Sequence, residues 1–267
     1  MENFGEEISG KTGLLEFLKS HDIVVAHVAL TNYLIFLGIA IVILLVIMFV
    51  ARSKAALIPK GRFYNLIELV VEFVRNDVAV ANIGHDGARY FPFIGTVFFF
   101  ILVNNLLGTI PGFKPGTGTM GVTVALALIA FITFNAAGMR KRGVGGYVKG
   151  LVPQGVPAVL WPVIWLIELI SLLIRPFTLS IRLFANMYAG HIVLGIFSIL
   201  TSIAAEQIIT GIQHAGIADI AIGGIAAIAW MFLLTALYIL EIVVALLQAY
   251  IFTLLTTVYI SLAVSEH

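Results

Sequence analysis

A handful of side chains in the C-terminal half are charged or titratable where their neighbours are not. "ELISLLIRPFTLSIRLFANMYAGH", residues 168–191, sets Glu168, Arg175, Arg182 and His191 among leucines, isoleucines and phenylalanines, and "LYILEIVVALLQAYIF" adds Glu241 and Gln248. Carboxyl and imidazole groups take up and release protons, whereas a guanidinium stays charged. In a membrane such residues mark ion and proton paths, because a charge at the bilayer centre costs ~2.5–3.5 kcal/mol or more.

Spacing sorts them. At ~100° per residue, Glu168, Ser171, Arg175, Thr178 and Asn186 all fall within about 40° of Arg182. His191, nine residues on, points the other way and starts its own series of Ser198, Ser202 and Glu206. One helix thus carries two polar stripes, offset in depth and opposed in direction. A continuous pore would not need them, but two half-channels that fail to meet would. Glu168 and Arg175 also suit plain helix–helix hydrogen bonding or snorkelling to an interface. Glu241 and Gln248 are seven apart on one face, with Tyr259 nearly in line. Gln248 suits packing as well as function, and Asn104 and Asn105 in "LVNNLLGTIP" suit interhelical bonding.

The composition makes lipid the solvent. Of 267 residues 61% are hydrophobic and 11% charged, with a mean hydropathy of +1.09, against ~25% charged in an ordinary soluble domain. A net charge of +1 and no basic tract argue against nucleic acid. With no cysteine, disulfides and thiolate chemistry are excluded. No HExxH pair or glycine-rich phosphate loop suggests a metal or cofactor. The acidic start "MENFGEE" is unlike a secretory signal and reads as an outer-side lead-in, 1–32.

A single membrane domain over 1–267 follows. Its part 33–155 begins with a span from Tyr33 to Val50. "FYNLIELVVEFVRNDVAV" is amphipathic and suits the interface, and two spans, "FPFIGTVFFFILVNNLLGTIPGF" and "GVTVALALIAFITFNAAG", form a hairpin. In 156–267, Val156–Ala204 and Gly223–Val264 would each reach ~60–70 Å as helices, against a ~30 Å hydrocarbon core. No polar turn divides either run, so two long inclined helices are expected, Pro176 being able to bend the first, joined by "AAEQIITGIQHAGIADIAIGG". Basic residues concentrate in 51–94 (Arg52, Lys54, Lys60, Arg62, Arg75, Arg89) and 137–155 (Arg140, Lys141, Arg142, Lys149). Only Lys11, Lys19 and Lys114 oppose them, so the rich segments face the cytoplasm and the N-terminus lies outside.

Over essentially its whole length the chain resembles the a-subunit family of F-type ATP synthases, the membrane stator facing the rotating c-ring. The resemblance is strongest in residues 168–191, in "LLQAYIFTLLTTVYISLAVSEH" and in "NNLLGTIPG". It implies an all-α integral membrane protein: an N-terminal transmembrane helix, an amphipathic surface helix, a transmembrane hairpin and two long inclined helices packed against a c-ring. Arg182 matches the family's essential arginine and Gln248 its companion glutamine. Glu168 falls at the cytoplasmic half-channel, and Asn186, His191 and Glu241 at the outer one. Arg175, Ser202, Glu206, Asn105 and Tyr259 are weaker candidates for the path. Acid and histidine are exchanged relative to enterobacterial relatives, and Gly108 stands where those carry an acid.

The resemblance makes the protein a non-catalytic subunit with no cofactor, partnered by the c-ring, b-type peripheral-stalk subunits and lipid, in a bacterial inner membrane or an organellar one. Arg182 would then be a fixed charge that draws the proton from a ring carboxyl, since an opposite charge within ~4–6 Å lowers an acid's pKa by ~1–3 units. A stand-alone ion transporter or channel is the alternative, but no internal repeat of the transporter kind is visible.

Overall fold

The computed structural model describes residues 22–25, 28–53, 61–110, 112–150, 152, 157, 159–213 and 217–264. Lys11, Lys19, Lys54 and Lys60 of the charge asymmetry lie outside the described residues.

Where a polar lead-in is expected, Asp22–Val25 (β1) and Val28–Thr31 (β2) pair antiparallel as a small ribbon. Its β-branched residues favour a strand. Everything else regular is helical. Helix α1, Asn32–Ser53, is apolar over Tyr33–Phe49. Helix α2, Arg62–Glu72, is amphipathic and runs on through a π-helical stretch, Phe73–Val80, whose Val74, Val78 and Ala79 are buried. The hairpin is α3, Gly87–Gly108, and α4, Met120–Lys149. The long pair is α5, Trp161–Gln213, and α6, Ile217–Val264.

Among the described residues four helices, α3 to α6, are long and apolar enough to cross a membrane. Pro176 sits inside α5 without ending it. The 53 residues of α5 extend ~80 Å. A helix of that length cannot stand upright in ~30 Å of hydrocarbon, so it must run obliquely.

Two boundaries differ from the sequence expectation. The third span was expected to end near residue 138, but α4 continues through the basic run to Lys149. Methionine, arginine and lysine are good helix formers, so polarity there marks the end of the span and not of the helix. Gly143 breaks the continuation with φ 72°, a left-handed value glycine adopts at little cost. Beyond it the Tyr147 hydroxyl donates to Asn135 Oδ1 at 2.9 Å, and Trp165 Nε1 on α5 donates to the Val148 carbonyl at 3.2 Å. The joint between α5 and α6 is likewise shorter than expected. Helix persists to Gln213 and resumes at Ile217.

The helices meet through small residues, as lipid-embedded helices do. Ala127, Ala130 and Ala137 of α4 and Ala249 of α6 are buried beside Ile101, Phe134, Leu179, Leu183 and Phe252. Buried Thr253, Thr256 and Thr257 bond to carbonyls of their own helix at 2.8 Å. Ser261 bonds the Asn82 carbonyl at 2.7 Å, tying the end of α6 to the segment after α2.

Candidate functional site

Helices α5 and α6 are antiparallel, and three contacts fix their register. Arg175 on α5 stands over the Tyr259 ring of α6 at 5.1 Å. Further along, Asn186 Nδ2 donates to Gln248 Oε1 at 2.7 Å. Farther still, the Glu241 carboxyl lies directly on Gly190, where any Cβ would overlap it. Advance along one helix matches retreat along the other, so Arg175, Asn186 and Gly190 face Tyr259, Gln248 and Glu241 along a single seam.

At one end of the seam Arg175 Nη2 bonds Glu168 Oε1 at 3.1 Å, seven residues back on the same helix. Both side chains are only partly exposed. The Tyr259 ring therefore faces a guanidinium already committed to Glu168, and also contacts Phe134 of α4.

In the middle stands Arg182, and its surroundings differ. It is exposed and has no hydrogen-bond or ion-pair partner among the described residues. Its neighbours Ile174, Phe177, Ile181 and Tyr188 are exposed too. Asn186, one turn on, faces the seam. Gln248 is 2% exposed, accepts from Asn186, and has its buried Nε2 without a partner among the described residues.

At the other end Glu241 is 7% exposed with no hydrogen-bond partner among the described residues. His191, next to the glycine it covers, does not bond to it. Its buried Nε2 is unpartnered, and the ring lines a ≈ 20 Å³ cavity with Tyr33, Lys114, Pro115, Tyr188 and Ile192, room for about one water molecule. Lys114 lies 5.7 Å from the centre of the Tyr33 ring. Beyond this point Ser202 is exposed and bonded to the Ile199 carbonyl at 2.8 Å, and Glu206 is exposed toward the C-terminal end of α5.

Asn105 is buried in α3 and accepts from Thr117 at 2.8 Å, closing the hairpin connection. Gly108 is crowded by Met187 and Pro115, which leaves no room for a side chain there. Sequence reasoning passed over Tyr33, Tyr188 and Gly190. A glycine inside a long apolar helix, immediately before a histidine, was the available signal for a close approach.

Residues 33–261 match the family model described as ATP synthase A chain. The chain belongs to that family. It is 37% identical over 273 residues to "ATP synthase subunit a" of Myxococcus xanthus (strain DK1622), covering 99% of this chain and 79% of that one. To the same-named proteins of Gluconobacter oxydans (strain 621H) and Maricaulis maris (strain MCS10) it is 42% and 40% identical, over 87% and 88% of each chain. The family sets aside the stand-alone transporter. This is the proton-conducting stator subunit of the membrane sector of an F-type ATP synthase, and it is not itself catalytic.

Proposed function

We propose that the seam between α5 and α6 forms two proton half-channels separated by Arg182, and that the exposed face around Arg182 is where the c-ring turns. The supporting observation is that one arginine, partway along a membrane helix, is exposed and has no partner among the described residues, beside a patch of exposed apolar side chains. A guanidinium cannot neutralise itself, and left in lipid it costs several kcal/mol. A partner that brings a carboxyl to it removes that cost.

A ring carboxyl facing lipid is neutral because desolvation disfavours its charge. Beside Arg182 the carboxylate is favoured and the proton leaves. Glu168 passes that proton on one side. On the other, Glu241 and His191, with Asn186 and Gln248 ordering the approach, supply the next one. Arg182 repels protons that would otherwise cross directly, so each must ride the ring. One charge crossing 100 mV yields ~2.3 kcal/mol, and several such steps drive ATP formation elsewhere in the complex. The concentration of basic residues in 51–94 and 137–155 supports a reading with the Glu168 end at the cytoplasm and the N-terminus outside. We place the chain, as one membrane domain, in a bacterial inner membrane, with b-type subunits of the peripheral stalk against its other helices.

The test is ATP synthesis by the whole complex in vesicles under an imposed proton gradient. Arg182→Ala abolishes synthesis while the complex still assembles. Arg182→Lys fails nearly as badly, because a compact ammonium lacks the planar fork and the permanent charge. Near-normal synthesis in either variant refutes the assignment.

A further inference from the structure

At the basic end of the bundle, away from the seam, a cavity of ≈ 410 Å³ opens between the start of α3 and the stretch of α4 before Gly143. Asp86, Arg89, Arg140 and Lys141 line it, so three cations face one carboxylate. Lys141 reaches Asp86 at 3.6 Å. Arg89 and Arg140 are exposed and have no ion-pair partner among the described residues. Two guanidiniums sharing one cavity call for an anion, and their planar forks match the paired oxygens of a phosphate.

The walls say which kind of phosphate. Half-buried Tyr90 sits beside the cations, at the depth where tyrosines collect in membrane proteins. The lining then turns apolar at Ile132, two helical turns before Arg140. Exposure of Ile132 (64%), Ile129 (51%) and Leu128 (47%) continues that strip down α4. From Arg140 to Leu128 is ~18 Å along the helix, about one leaflet of a ~30 Å core. A soluble anion would have no use for the strip, whereas a lipid fills both parts.

We propose that this cavity holds the phosphodiester headgroup of an anionic membrane phospholipid between Arg89 and Arg140, with an acyl chain along Ile132, Ile129 and Leu128. The site is independent of the half-channels. It anchors the hairpin at a fixed depth next to Val264, the last residue of α6.

The complete ATP synthase, delipidated in mild detergent, is titrated with spin-labelled phosphatidylglycerol, and the Arg89→Gln/Arg140→Gln complex alongside it. Each basic residue near a membrane surface contributes about fivefold in affinity, so the double variant binds about thirtyfold more weakly. Phosphatidylcholine shows no such difference, millimolar inorganic phosphate does not displace the labelled lipid, and Arg62→Gln, exposed on α2, binds as the parent does. Equal affinity of parent and double variant overturns the proposal. So does displacement by inorganic phosphate, which makes this a site for a free anion. Loss of another subunit from the double variant also overturns it, because the face is then a protein interface.

Discussion

Replacing Gly190 by alanine isolates the role of the Glu241 carboxyl, because the methyl would occupy the space that both carboxyl oxygens now fill. The atoms met are the far end of a flexible side chain, so the carboxyl yields by swinging aside, out of its place on Gly190. Overfilling a packed site costs ~1–3 kcal/mol, while alanine in place of glycine returns ~1 kcal/mol of helix propensity. Net destabilisation is therefore at most about 2 kcal/mol, and the complex should assemble. The position of the carboxyl bears the full ~1–3 kcal/mol, which lowers its occupancy about 5- to 150-fold at 1.36 kcal/mol per tenfold. Proton-driven ATP synthesis and ATP-driven acidification in vesicles should both fall at least fivefold. Gly224→Ala on α6, whose new methyl meets nothing within 4 Å, is the control and should leave both rates unchanged. A normally assembled Gly190→Ala complex that keeps more than half its rate refutes the reasoning.

Glu168→Gln keeps an acceptor for Arg175 but no proton to pass. A partly exposed pair is worth ~0.2–1 kcal/mol, so stability changes little, and flux should slow in both directions without uncoupling; unchanged flux would leave Glu168 an anchor only. Asn186→Leu and Gln248→Leu, combined in a double-mutant cycle on the melting of the complex, should show coupling of ~0.6 kcal/mol and no more than ~1.7, and additive effects would deny that the 2.7 Å bond contributes. Exchanging His191→Glu with Glu241→His should restore more proton flux than either single change allows. A double exchange no better than the worse single variant would show that the two act separately.

Helical arithmetic made much of α5 legible. Glu168 and Arg175 are seven apart and do bond, and two apolar runs without a polar turn do form long unbroken helices. What stayed hidden required the register between helices. Asn186 and Gln248 lie on different helices, and nothing in either local pattern states that they meet. Glu241 and His191 were both expected at one half-channel, yet the carboxyl rests on Gly190 and the imidazole lines a cavity with Tyr33 and Lys114. The helix ends were misjudged for another reason. Hydropathy delimits what lipid accepts, whereas helix formation depends on backbone preference, so α4 outlasts its apolar span.

The distribution of charge over the seam follows one physical rule. A carboxyl or imidazole can meet burial by changing its protonation, so such groups can be enclosed by the chain's own helices. Glu241 is enclosed, as is the Nε2 of His191. An arginine has no neutral form to retreat to, and enclosing it would demand a permanent counter-ion, as Glu168 provides for Arg175. Among the described residues Arg182 has neither enclosure nor counter-ion. A fixed internal carboxylate opposite it would stabilise this subunit and would also cancel the charge that a passing acid must feel. The energetic defect of the isolated chain is thus the property that lets a succession of external carboxyls bind at Arg182 and leave again.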